Sequence, residues 1–569
     1  MGHWGHRQPL TSLVSAITVT SYHLCRTSYV LCPQLPGGNV PDQIRAALDR
    51  RNFLRLVGTI SAASAFTGGL AACGGPSSTT GAGSGGDVNT IEAGISYGLS
   101  TGFDPMTSSG ATPVAANMHV FEALVDLDPV TGQPYPALAT AMPQKTGDTT
   151  YQVSLREGAV FHDGSPVTAD DVAFSFNRVL DPANDSLMAQ FVPFLAEVRV
   201  VDPATVEFVL QHPFELFQSR VSVIKIVPRK VVEADPEGFD AKPVGSGPFQ
   251  LVEATREDKI VFKKWERYNG PKPAKVQNMV WRLLSDPSAR VSALESGRVL
   301  AIEDVPVIDI ERMRAKANVE SVQSFGQLFL MFNCAQAPFS DKRVRQALHY
   351  GIDTDKIVQT AMVGNGSAAT SYLHRTHPDH REAGTVYRHD PERAKRLLAE
   401  AGVSNLSLTL MTTDTGWVKD IAPLIKESWD AIGVPTQLDV AASSGQYNKV
   451  ESGAFQVMAA PGDPSVFGTD TDLLLSWFFT SSTWSEKRFR WAGSPAHDEV
   501  LDLMGRASRT ADANARKQLW GQVIDIISDE APLYPIVHRK LPTAWDQSGL
   551  PGFRPIPTTG LSFLDVGRA

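Results

Sequence analysis

Three imidazoles spaced three residues apart, His374, His377 and His380 in the string LHRTHPDHREA, are the residues of this chain best placed to do chemistry. With Asp379 beside them they could gather on a transition metal, since imidazole and carboxylate are both suitable ligands. Pro378 breaks the helical geometry that would stack them on one face. The stretch therefore reads as a solvated polar loop, with a metal site as the alternative. His162-Asp163 has the types for acid–base work, but Asp163-Gly164 is a tight-turn pair, so a structural role is expected. Cys334 sits in an apolar run beside Phe332 and Asn333 and reads as a buried small hydrophobe, not a nucleophile. No P-loop, G-x-S-x-G elbow, HExxH or CxxC pair occurs. GAGSGG at 81–86 fits the dinucleotide glycine pattern only formally, because no strand precedes it and no helix follows. No catalytic residue is nominated and no cofactor is expected.

Aromatic side chains form a second group. Trp417, Tyr447, Phe467, Trp477 and Trp484 fall in or near segments of irregular pattern. Trp and Tyr offer a large, stiff contact area with a polar handle, which suits a pocket for an organic solute.

The elements that must position these groups are short strands alternating with helices from Thr90 onward, which makes the class mixed α/β. Residues 151–176, YQVSLREGAVFHDGSPVTADDVAFSF, show the local logic best. Tyr151, Val153 and Leu155 alternate with Gln152, Ser154 and Arg156, the period of a half-buried strand. Asp163-Gly164 makes the turn. Thr168 is placed as a helix N-cap, with Asp170 and Asp171 where the helix dipole favours anions. Asp390-Pro391 opens another helix, which ends at Ala401-Gly402.

The chain has 569 residues, 42% hydrophobic and 20% charged, ample for more than one core. A net charge of −9, with no basic stripe interleaved with aromatics, argues against nucleic acid as partner. Near the N-terminus, Arg50-Arg51-Asn52-Phe53-Leu54-Arg55 resembles a twin-arginine export motif, and a modest apolar run ends in small residues. Leu70-Ala71-Ala72-Cys73 matches the bacterial lipobox, so Cys73 is the expected lipidation site and 40–72 the signal peptide. Residues 1–39 read as an over-extended start. Residues 73–88, rich in Gly and Ser, read as a flexible tether. A lipidated Cys73 leaves Cys334 without a disulfide partner.

Several blocks, in order, resemble one known family. They include Asp104-Pro105, Phe121-Glu122-Ala123-Leu124-Val125, Pro136-Ala137-Leu138-Ala139 and the 151–176 block. Gly245-Ser246-Gly247-Pro248-Phe249, FNCAQAPFSDKRVRQALHYGID at 332–353 and YRHDPERAKRLLAEAG at 387–402 continue the series. Together the chain resembles the family 5 solute-binding proteins of ABC importers, which take peptides, nickel and related ligands.

That resemblance implies a two-lobed, periplasmic-binding-protein-like fold without enzymatic activity. The larger lobe would comprise 89–325 plus 535–569 and the smaller 326–534, with hinge crossings near Phe325 and Pro535. Ligand would sit in the interlobe cleft. Thr107, Ser108, Ser109 and Gly110 are similar to a larger-lobe loop that meets ligand in relatives. In the smaller lobe two or three of Trp417, Tyr447, Phe467, Trp477 and Trp484 would line the cleft. Asp463 lies in a Gly-Asp-Pro segment similar to one in peptide-binding relatives; its expected role is to cap the turn at Pro464, with ligand contact, if the loop shifts, as the alternative. Those relatives usually carry a second Asp three positions earlier, pairing with the ligand's α-ammonium; here that position is Ala460. A charge-assisted hydrogen bond is thereby lost, which weakens the case for a free-amine peptide. The implied partners are two ABC permease subunits with their ATPases. The protein would be a monomer, lipid-anchored on the extracytoplasmic face of the cell membrane, at the cell surface or in the periplasm. The alternative ligand is nickel or a metal chelate.

Overall fold

The computed structural model describes residues 87–569. The expected signal peptide, the Cys73 lipidation site and nearly all of the tether lie outside the described residues.

The strand, turn and helix expected at 151–176 form as their residues dictate. Strand Thr150–Ser154 buries Tyr151 and Val153 on one face and pairs antiparallel with Thr205–Leu210 within a four-stranded sheet. Gly164 takes φ +88°, the left-handed region that a side chain would resist. Thr168 caps helix Ala169–Leu180 through a capping box: its Oγ1 accepts from Asp171 N, while Asp171 Oδ2 accepts from Thr168 N at 3.0 Å. His162 is structural, as expected. Its Nε2 donates to Gly247 O at 3.0 Å and its Nδ1 accepts from Gly245 N at 3.2 Å. Both ring nitrogens are thus used by a neutral imidazole, and burial holds its pKa down at about 4. The glycines of that turn are obligatory: a Cβ on Gly245 would fall 2.0 Å from Val120 O, and one on Gly247 2.6 Å from His119 O.

The main sheet has eleven strands and is held together by two long ones. Five of its strands matter to the site: Thr90–Ile95 (β1), Ala301–Ile302 (β2), Asn318–Phe332 (β3), Val457–Gly462 (β4) and Leu533–Trp545 (β5). β3 and β5 run antiparallel side by side, from Asn318 opposite Trp545 to Met331 opposite Leu533. At one end β5 also pairs with β2, and β2 with β1. At the other end, Gln327 to Phe332 of β3 pair with β4. Two strands therefore belong to both ends of one sheet. Their register slips between Gln323 and Gln327, so that Ser324, Phe325 and Gly326 stand against Arg539 alone.

Two large apolar cores form. One joins residues 124–226 with 328–537; the other joins 91–121, 227–301 and 545–566. The stretch 89–325 thus contributes to both. Cys334 is 8% exposed, and burial pushes its thiol up to about 11, consistent with an inert packing residue. Among the described residues no helix is long and apolar enough to cross a membrane.

Candidate functional site

The register slip concentrates polar residues in the middle of an apolar sheet, at the seam between its two ends. Arg539 of β5 is 6% exposed. Its Nη1 donates to Asp304 Oδ1 at 3.3 Å, and its guanidinium lies 4.6 Å from the centroid of the Trp417 ring. Trp417 stands in the first turn of helix Gly416–Ala431. Asp463, just after β4, caps the short turn Pro464–Val466, as expected. Its Oδ1 accepts from Ser465 N at 3.3 Å and from the Ser465 hydroxyl, and its Oδ2 accepts from Ser324 Oγ at 3.3 Å. Burial raises the Asp463 carboxyl above the usual range, and the Ser465 bonds and Arg539 oppose that rise. Glu303, next to β2, is raised by burial as well. It accepts from Ser96 N at 2.8 Å, Ser96 Oγ at 2.9 Å and Gly560 N at 2.8 Å.

The seam has two flanks. On one, Arg220 is 1% exposed and reaches across 250 residues of sequence. Its Nη2 donates to Asp470 Oδ1 at 2.6 Å and Asp472 Oδ2 at 3.0 Å, and its Nη1 to Phe191 O at 2.9 Å. Asp470 also caps helix Thr471–Phe479 through Leu473 N. Phe191 stacks on Trp477 at 5.9 Å and 13°, and Phe467 lies 5.6 Å from Phe191 and 5.0 Å from Trp477. Only a narrow cavity of about 140 Å³ remains, lined in part by Ser108, Ser222, Ser465 and Phe467.

The other flank holds a cavity of about 430 Å³. One end of the sheet contributes Asp304 to Ile308, the other Met362, Trp417 and Leu424, and β5 contributes Arg539 and Lys540. Ile308, at 80% exposed, marks its rim.

Of the residues nominated from sequence, Ser108 and Phe467 meet in the narrow cavity and Trp417 lines the larger one. Thr107 and Ser109 are exposed and Gly110 is buried at the start of helix Ala111–Val120, its N donating to Thr101 Oγ1 at 3.4 Å. Trp477 is taken up by its stack on Phe191. Three aromatics expected near irregular segments are helical: Trp417, Tyr447 in Ser443–Glu451 and Trp477 in Thr471–Phe479. Tyr447 lines neither cavity; Arg488 covers its ring at 4.5 Å, and Trp484 lies 6.0 Å away. Ala460 is not in a loop but inside β4, fully buried opposite Phe329.

The histidine string needs correction. It is not solvated: His374 is 3% and His377 6% exposed, and His380 is half-buried. Successive turns, with His377 N donating to His374 O and His380 N to His377 O, fold the string inward. There the Phe325 ring lies 5.1 Å from His377, and His538 lies 5.4 Å from His374. His377 spends both nitrogens, donating from Nε2 to Thr469 O at 2.7 Å and accepting at Nδ1 from Asp379 N at 3.1 Å. Among the described residues no group of three or more His, Cys, Asp or Glu is placed to hold a metal.

Sequence reasoning missed Phe191, Arg220 and Arg539. For Arg539 a signal existed, since His538, Arg539 and Lys540 interrupt an otherwise apolar thirteen-residue strand. Arg220 carried none, because its partners are remote in sequence.

Comparison with known proteins bears on this arrangement. The family described as "Bacterial extracellular solute-binding proteins, family 5 Middle" matches residues 133–486, more than half of the chain. The chain is 28% identical over 481 residues to the dipeptide-binding protein of Escherichia coli strain K12, covering 78% of this chain and 88% of that protein. It is 28% identical over 428 residues to the glutathione-binding protein GsiB of the same strain, covering 73% and 83%. In fold it resembles the crystal structure of the dipeptide-binding protein from Pseudoalteromonas sp. SM9913 in complex with Met-Leu. That match has a TM-score of 0.77 and 21% identity, over 84% of this chain and 100% of that one.

Proposed function

This chain belongs to family 5 of the bacterial extracellular solute-binding proteins, and we propose that it captures a small oligopeptide or similar organic solute in the seam beside Trp417 and Arg539. The family consists of binding proteins rather than enzymes. The observation that carries the reading is the cavity of about 430 Å³ lined from both ends of the sheet. Its volume is that of a small-ligand site, and its walls combine apolar side chains with a few polar ones. A ligand touching both walls binds the closed arrangement better than an open one, and only such differential affinity can drive closure. The slip at 324–326 opposite Arg539 is where the two crossing strands would bend, between lobes at 89–325 with 535–569 and at 326–534.

In this reading the closed, loaded protein delivers its solute to two permease subunits driven by ATPases. A lipid on Cys73 would hold the monomer at the extracytoplasmic face of the membrane. The nickel or metal-chelate alternative would require His377 to give up its bonds to Thr469 and Asp379, so the organic solute is preferred.

Thermal unfolding of the purified chain in the presence of dipeptides, glutathione and nickel tests this. Stabilisation by a peptide-like compound, rising with its concentration, is the expected result. Stabilisation by nickel alone, or by no organic solute in a broad panel, would sink the reading.

A further inference from the structure

Resting on that reading of the seam, we infer that the solute is an anion with an apolar body, held through its oxygen acceptors and not through an α-ammonium. The carboxylates around the larger cavity each have a cation or donor beside them already. Asp304 gives Oδ1 to Arg539, and its Oδ2 lies 3.7 Å from Arg290. Asp463 accepts three bonds from Ser465 and Ser324, and Glu303 three from Ser96 and Gly560. Ala460 supplies no carboxylate in their place. An incoming ammonium, which brings three donors and no acceptor, meets carboxylates that already face Arg539, Arg290 or bound donors.

Donors, by contrast, are in surplus. Arg290 Nε is buried without a hydrogen-bond partner, and a buried donor left unpaired is costly. Arg539 commits only Nη1 to a hydrogen bond with a carboxylate, while Asp463 and Glu303 behind it are tied to other groups. Lys540 lines the cavity half-buried and makes no ion pair among the described residues. Lys419 and Asp420, both exposed on the same wall, offset each other. A carboxylate on the solute would fill this deficit of acceptors. Trp417 and the segment from Val305 to Ile308 would take an apolar or aromatic side chain.

Isothermal titration of the full chain with N-acetyl-Ala-Phe and with Ala-Phe-amide tests the inference, because the two share side chains but carry opposite charges. The acid should bind about tenfold tighter or better, the scale of one charge-assisted hydrogen bond. Lys540→Gln, at a half-buried position that does not threaten folding, should weaken the acid about threefold to tenfold and leave the amide nearly unchanged. Equal or tighter binding of the amide overturns the inference, as does indifference of the acid to K540Q. If neither compound binds but a free-amine dipeptide does, the inference falls while the seam remains a solute site. If dipeptides and glutathione also fail, the functional reading falls with it.

Discussion

The two flanks of the seam bring together the same two ends of the sheet, yet one has been filled by the protein and the other has not. Beside Phe467, Arg220 satisfies two aspartates and three aromatic rings close over the space. Beside Trp417, Arg539 hydrogen-bonds one aspartate, which also faces Arg290 at 3.7 Å, and covers an indole, and a cavity persists. The first flank is fastened by internal complementarity; the second keeps an open cavity with Lys540 unpaired among the described residues on its wall.

Arg220→Ala should have the largest effect on that contrast. It strands Asp472, 6% exposed and already raised by burial, without its counter-charge. Breaking a buried pair from one side costs about 3–5 kcal/mol, readable from urea unfolding. A change below about 1 kcal/mol, the worth of a surface pair, would mean the flank is not fastened as described.

Acid should come next. His538 and His349 are buried and neutral, with pKa values lowered by burial to about 4 and about 3. Their folded values lie below the unfolded one near 6.5, so the unfolded chain binds more protons between these limits. Stability is full above about pH 6.5 and declines as pH falls toward 4, by on the order of a few kcal/mol for the pair. His538 meets His374 edge-on, near the fastened flank, so that side should loosen first, seen as faster amide exchange around His377 and Thr469. A flat profile over this range would contradict the burial of these rings.

Trp417→Ala should cost little stability, about 1 kcal/mol, because the ring is half-buried on the wall of an open cavity. A loss comparable to that of Arg220→Ala would erase the distinction between flanks. Smallest of all, Cys334 should resist thiol reagents at neutral pH in the native chain, its thiol being buried and raised to about 11. Rapid labelling would show that the core beneath the seam opens.

What could be read in the sequence was local. Alternation at Tyr151 and Val153, the Thr168 cap and the Asp463 turn each depend on neighbours a few residues away, and each forms as written. The fastened flank joins residues up to 286 positions apart, Phe191 to Trp477, and no periodicity announces such a pairing. The histidine string misled for a related reason. Its polar residues resemble a surface loop, but tight turns and backbone partners such as Thr469 O let the imidazoles be buried at little cost. Ala460 was expected in a loop, yet it lies inside a strand and is fully buried opposite Phe329.

Solute binding on the proposed Trp417 flank can be tested by one titration series. The tightest ligand found in the dipeptide and glutathione panel should be titrated into the wild-type chain, Trp417→Ala and Tyr447→Ala. Loss of about tenfold or more in affinity for Trp417→Ala, with Tyr447→Ala within about twofold of wild type, is the result expected of a buried aromatic anchor against a remote one. The reverse order, or equal losses in both, would place the solute elsewhere and contradict the account.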